Sequence, residues 1–186
     1  MRLTVGGTMT LRTPRLELEP LTLSMVEAVM LGRRGDAEAV AGARMPERWP
    51  NHELVERAFT VSLDAIRADP EGRLWGGRVL IARTDRSERR VVGSVVFAGR
   101  PGADGVAEMA YGVEEASQGR GYATEAVTAC VAWAFEQPGV RAVRAATFEW
   151  HLPSLRVIEK AGMSRVGVRD HETMGELGVY EIRRPR

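Results

Sequence analysis

Lysine is nearly missing from this chain. Of its 26 basic residues 25 are arginine, and Lys160 is the one lysine. Chemistry that needs a lysine, whether a Schiff base or the G-x-x-x-x-G-K-[ST] phosphate loop, therefore falls to Lys160 or is excluded, and Glu159-Lys160-Ala161-Gly162 is no such loop. A genome that favours Arg and Ala codons accounts for the bias. Cysteine is equally scarce: Cys130 alone excludes an intrachain disulfide. With eight methionines and no signal-like apolar segment behind Met1, this points to a reducing, cytoplasmic setting. No apolar run approaches the ~20 residues of a membrane span. The three histidines, His52, His151 and His171, lack metal-ligand spacing, so no metal is expected. Nor is there an excess of charge of one sign. The 26 cations face 25 anions, for a net +1, which removes the electrostatic case for a nucleic-acid or anionic-membrane partner.

What the chain does have is a core. Its 186 residues, 44% hydrophobic, suit a single compact domain, which we expect over residues 10–186 behind a flexible tail at 1–9. Apolar and charged residues alternate over Pro14–Glu19 as in a half-buried strand. Ser24 with Glu27 makes a capping box for a helix through Met25, Val26, Val29 and Met30, broken by Gly32 and Gly35. Asp36 to Pro50 reads as irregular. A second helix runs from Asn51, its cap, along Leu54, Val55, Ala58, Phe59 and Ile66 to Asp69-Pro70. The period then changes to two: Arg78–Ala82, Arg90–Phe97 and Val106–Val113 form a three-strand meander. Helix and strand alternate thereafter, with helices at 121–136 and 153–161 and strands at 140–147, 164–168 and 179–183. The expected fold is mixed α/β (α+β): one central, mostly antiparallel twisted sheet of about six or seven strands, flanked by helices.

The most informative stretch runs from Tyr111 to Ala126. A strand ends, and Gln118-Gly119-Arg120-Gly121-Tyr122-Ala123 opens a helix. Glycines at 119 and 121 clear the space in which backbone N–H groups converge on an anion, and the helix end adds partial positive charge. An ordinary strand-to-helix turn uses the same residues. A dinucleotide-binding reading fails: G-x-G-x-x-G lacks its third small residue, and the segment follows a meander rather than opening a βαβ unit.

Three segments in register resemble the GNAT superfamily of acyl-CoA-dependent N-acyltransferases, in its RimJ/RimL-like branch. Gln118-Gly119-Arg120-Gly121-Tyr122-Ala123 matches Q/R-x-x-G-x-G/A, and His151-Leu152-Pro153-Ser154 through Glu159-Lys160-Ala161-Gly162-Met163 is similar to N-x-x-S-x-x-x-x-E-K-x-G-F. Leu11-Arg12-Thr13-Pro14-Arg15-Leu16 resembles the L-x-T-x-R-L opening. The resemblance implies acetyl-CoA as co-substrate, its pantetheine on the strand at Tyr111 and Val113 and its pyrophosphate on Gln118 to Ala123. It implies that Ser154 bonds the coenzyme sulfur and protonates the leaving thiolate. A Ser154 that only caps its own helix is the alternative. His151 stands where the family has Asn, as a coenzyme contact or a surface histidine. A homodimer is common in the family.

The acceptor implied is a primary amine, on a protein N-terminus or a small molecule. An alkylamine of pKa ~10.4 is almost wholly protonated at neutral pH, an α-amine near ~7.7–8.0 much less so. A base is therefore needed more for the former. Glu108, on one strand face with Ala110 and Gly112, is its leading candidate and falls where the family has a strand Glu; a merely solvated Glu is the alternative. Glu149 and Glu172 are weaker ones. Acceptor contacts are expected from Asp36–Phe59, among them Arg44, Glu47, Arg48, Trp49, His52 and Glu53, with Trp75 near the sheet. Cys130 reads as helix packing. The rival reading is a catalytically silent CoA-binding or interaction module.

Overall fold

The computed structural model describes residues 4–5, 8–47, 50, 63, 66–69, 72–83, 88–171 and 173–185. Within the first nine residues β1 (Thr4–Val5) pairs with β2 (Thr8–Met9). Eight further strands build the central sheet: β3 (Leu11–Arg12), β4 (Leu16–Pro20), β5 (Gly77–Arg83), β6 (Arg89–Phe97), β7 (Val106–Val113), β8 (Ala142–Thr147), β9 (Ser164–His171) and β10 (Gly175–Arg183). Their spatial order is β3-β4-β5-β6-β7-β8-β10-β9, and every pairing is antiparallel except β7 with β8. The count exceeds the expected six or seven because Leu11–Arg12 forms an edge strand of its own. Between it and β4 the Thr13 amide donates to the Leu16 carbonyl (2.9 Å) and the Leu16 amide to Thr13 Oγ1 (2.9 Å), a turn that Pro14 suits.

Helices α1 (Leu23–Met30) and α2 (Arg34–Ala41) cover one face of the sheet; α3 (Tyr122–Phe135) and α4 (Leu152–Lys160) pack on the other. The cap of α1 is Thr22 rather than Ser24, since it is Thr22 Oγ1 that accepts from the Met25 amide. Helix α2 replaces part of the stretch expected to be irregular. Ala37 and Ala41, one turn apart, bury themselves against α1, and Gly42 at φ 58° closes the helix in the left-handed conformation. Gly35 lies inside α2 and breaks nothing. Of the helix expected from Asn51, Leu63 and residues 66–68 are helical and Ile66 is buried; residues 51–62 lie outside the described residues.

The central strand β5 is buried on both sides. Leu80 and Ala82 face α3, while Val79 and Ile81 face α1 and α2. Each fully buried Leu, Ile or Val contributes about 1.5–3 kcal/mol. Trp75, expected near the acceptor, belongs to this core instead: the turn Gly72–Trp75 aims its ring between Phe97 (5.3 Å) and Trp133 (4.7 Å). The buried Arg78 guanidinium stacks over Trp133 at 4.8 Å.

Candidate active site

The parallel pairing of β7 and β8 is short. It joins Val106 to Ala142, Ala107 to Val143 and Glu108 to Arg144, and then ends. β7 continues to Val113 while held by β6, and β8 continues to Thr147 while held by β10. Beyond Glu108 and Arg144 the strands part, leaving a cleft with an unpaired edge of β7 along it. A Cβ added at Gly112 would meet nothing within 4 Å. Such an edge offers N–H and C=O groups to an extended ligand.

At the end of that edge the chain passes a 3₁₀ turn, Glu115–Ser117, and reaches α3. Gly119 and Gly121 take φ 73° and 79°, a region that admits glycine readily and turns successive amides the same way. Gln118 closes the loop rather than the cradle: its amide donates to the Glu115 carbonyl (3.2 Å) and its side chain to the Val113 carbonyl (3.0 Å). Among the described residues the amides of Gly119, Arg120 and Gly121 have no acceptor, and the first amides of α3 lack one by helix geometry. Amides so arranged, with Tyr122 and Ala123 beside them, can receive an anion. The N-terminal segment anchors this turn. Glu125, in the first turn of α3, accepts from Thr13 Oγ1 (2.5 Å), the Arg15 amide (2.9 Å) and Arg15 Nε (2.7 Å), while Arg15 Nη1 donates to the Arg120 carbonyl (2.7 Å). The Arg15 guanidinium also lies 5.0 Å over the Tyr122 ring. Burial alone would raise the Glu125 pKa; the bonds from Thr13 and Arg15 outweigh it, and the net direction is down.

Across the cleft stands the N-terminus of α4. Pro153 suits its first turn, and His151 is the N-cap, exposed and without a side-chain capping bond. Ser154 therefore does not simply cap its own helix. Its Oγ is 2.8 Å from the Tyr111 hydroxyl, which also donates to the Ser154 carbonyl at 3.0 Å. Burial pushes the Tyr111 phenol up, partly opposed by the Ser154 bond, so it stays protonated near neutral pH. Two hydroxyls are thus joined at a positive helix end beside the opening of the sheet.

The model of the acetyltransferase (GNAT) domain family matches residues 15–164. This chain belongs to the GNAT acetyltransferase family. An uncharacterized N-acetyltransferase of Bacillus subtilis, YjdG, is 25% identical over 154 residues, 82% of this chain and 88% of its own. A solved GNAT-family acetyltransferase described as putative, from Bordetella pertussis, superposes with TM-score 0.65 at 25% identity, covering 92% of this chain and 98% of that one. RimL, a ribosomal L7/L12 α-N-protein acetyltransferase solved with coenzyme A, shares the fold at TM-score 0.64 and 14% identity, over 94% and 97% of the two chains.

In this acetyltransferase Glu108 sits at the vertex where β7 and β8 part. Its neighbours Ala107 and Met109 are buried in the core, so Glu108, Ala110 and Gly112 share the opposite face, as their alternation in the sequence indicated. Glu108 is flanked by Arg144 (3.6 Å) and, reaching across the face from the edge strand β9, Arg169 (3.3 Å). Arg144 is fixed from behind by the buried Glu181 at 2.9 Å, whose hydrogen bond raises the Arg144 pKa further. Glu149 is exposed and paired with Arg165 (2.7 Å). Arg44 pairs with Glu38 (3.3 Å), and Glu47 is exposed, its carbonyl accepting from Arg34. Glu172, Arg48, Trp49, His52 and Glu53 lie outside the described residues.

Sequence reasoning missed Arg144, Arg169 and the rim formed by Phe148, Trp150 and His171. Their signal was faint: Phe148 and Trp150 are the aromatics immediately after a strand, in a chain with few. It also gave Tyr111 a backbone role only, although Tyr111 alternates with Ala107 and Met109 and so points to the helices α3 and α4. Cys130 is buried in α3 and its thiol is pushed up to about 12, which removes it as a nucleophile.

Proposed function

We propose that this acetyltransferase moves an acetyl group from acetyl-CoA directly to a primary amine, with no acyl-enzyme, in a cytoplasmic setting. Acetyl-CoA supplies the activated thioester. The free edge of β7 at Tyr111 and Val113 would hold its extended arm, and the amides of Gly119 to Ala123 its pyrophosphate, with Gln118 shaping the loop. Arg120, in that loop, and His151, the N-cap of α4, are further proposed contacts of the coenzyme. RimL, of the same fold, is held with coenzyme A, which supports this donor.

The observation that carries the reading is the Tyr111–Ser154 hydroxyl pair. Ser154 Oγ–H protonates the departing sulfur, and the Tyr111 phenol, kept neutral by burial, orients that hydroxyl. The N-terminus of α4 favours the negative charge that develops there. On the other side of the vertex Glu108 receives the ammonium, takes one proton, and so frees the nitrogen lone pair for the acyl carbon as the C–S bond breaks. The nitrogen's surplus proton, shed as the amide forms, replaces the one Ser154 gave to sulfur.

The test is thiol release from acetyl-CoA with a panel of amines and N-terminal peptides. Ser154→Ala is expected to lower kcat about 100-fold while KM for acetyl-CoA changes by no more than about threefold, the size of a general-acid contribution. Tyr111→Phe should follow in the same direction by a smaller factor. Tight coenzyme binding with no transfer to any amine would instead identify a silent coenzyme-binding module.

A further inference from the structure

We infer that the acceptor is a small zwitterion, an aromatic amino acid whose amine and carboxylate exchange into the Glu108–Arg169 ion pair while its ring lies on the Phe148–Trp150 stack. This rests on the transfer reading above and narrows it to a substrate class.

The two cations at Glu108 differ. Arg144 is 30% exposed and locked to Glu181, itself 4% exposed. The Arg169 side chain is 53% exposed, and its one hydrogen-bond or ion-pair partner among the described residues is Glu108 Oε2 at 3.3 Å. The planar fork of Arg169 therefore has donors to spare, in the arrangement that grips a carboxylate by two parallel bonds. An ammonium that reaches Glu108 arrives within one ion-pair length of that fork. In a single small molecule this fixes amine and carboxylate one or two carbons apart. The exchange leaves every charge paired, since ammonium replaces guanidinium at Glu108 and carboxylate replaces Glu108 at Arg169. A polyamine has no anion to offer the freed guanidinium and meets two cations on this face.

The apolar half of the ligand has its place on the same wall. His171 lies two residues beyond Arg169 on β9, about 6.6 Å along the strand. Its ring is 5.6 Å from Phe148, which stacks on Trp150 at 5.0 Å with planes 11° apart. Trp150 is 65% exposed, a large flat apolar surface left open to solvent.

The experiment compares kcat/KM for phenylalanine, phenylalaninamide, alanine, spermidine and an N-terminal peptide. Phenylalanine is expected to exceed its amide roughly 10- to 100-fold, the worth of a charge-assisted pair. Arg169→Ala should collapse that ratio to near unity, chiefly through KM for phenylalanine; Arg169→Lys should restore part of it. Arg165→Ala, on the same strand but paired to Glu149, should leave the ratio as it is. Trp150→Ala should raise KM for phenylalanine more than for alanine. A wild-type ratio near one, a preference for spermidine or the peptide, or a ratio that survives Arg169→Ala overturns the inference while transfer itself stands. Absence of transfer to every amine overturns both.

Discussion

At the scale of single residues, burial decides which groups are reactive. Cys130 is buried and its thiol is pushed up to about 12, so near pH 8 only about one molecule in 10,000 carries the thiolate. Iodoacetamide should leave the native protein unmodified over the period in which urea-unfolded protein is fully alkylated, a difference read by intact mass. Glu125 shows the opposite sign. Its folded pKa lies below the unfolded value, so its contribution is fully present above about pH 4.5 and is lost as pH falls through the folded value. Glu125→Gln should cost about 1–2 kcal/mol near pH 7. The gap between the urea midpoints of the two proteins should narrow progressively as pH falls below about 4.5. Lys160 is in the last turn of α4, where its charge complements the helix end.

At the scale of elements, glycines divide into those that shape the cradle and those that keep the cleft open. Gly112 has room around it, so Gly112→Leu should abolish coenzyme binding by titration while changing the melting temperature by no more than about 1 °C. Gly121 caps α3 at φ 79° with Arg15 Nη2 3.4 Å from any added Cβ. Gly121→Val should therefore weaken binding and lower stability by about 1–2 kcal/mol together. These elements were legible to different degrees. The meander and the crossover units were plain because their periods of two and 3.6 are long and uninterrupted. The turn that opens α3 was legible from Gly119 and Gly121, both of which take positive φ. Helix α2 was hidden because small alanines carry its buried face and Gly35 reads as a breaker. The cleft was not legible at all: where the β7–β8 pairing ends depends on register between strands 36 residues apart, Val106 with Ala142, and no local pattern records it. For the same reason Glu108 could be placed on a face but not beside Arg169, 61 residues away.

At the scale of the molecule, the sheet is two smaller sheets hinged on three residue pairs. One half runs β3 to β7, the other holds β8, β10 and β9, and among the described residues only Val106, Ala107 and Glu108 join them by strand pairing. A ligand seated between the halves binds the folded chain alone. Coenzyme at 100 times its Kd should add about 2.7 kcal/mol of stability. For a chain of this size that is a rise of about 5–10 °C in melting temperature, measurable by calorimetry. The anchoring of the cradle by Thr13 and Arg15 also has a bearing on how the chain is made. Thr13 leaves the ribosome 112 residues ahead of the Glu125 it must hold. Until then Thr13 and Arg15 lack the carboxylate that binds them both, although β3 already pairs with β4 beside it, and contacts of such separation form late and slowly. On the proposed placement of the coenzyme, the nascent chain carries no finished site until at least two-thirds of it has been synthesised, and a chain released before Glu125 should bind no coenzyme by titration.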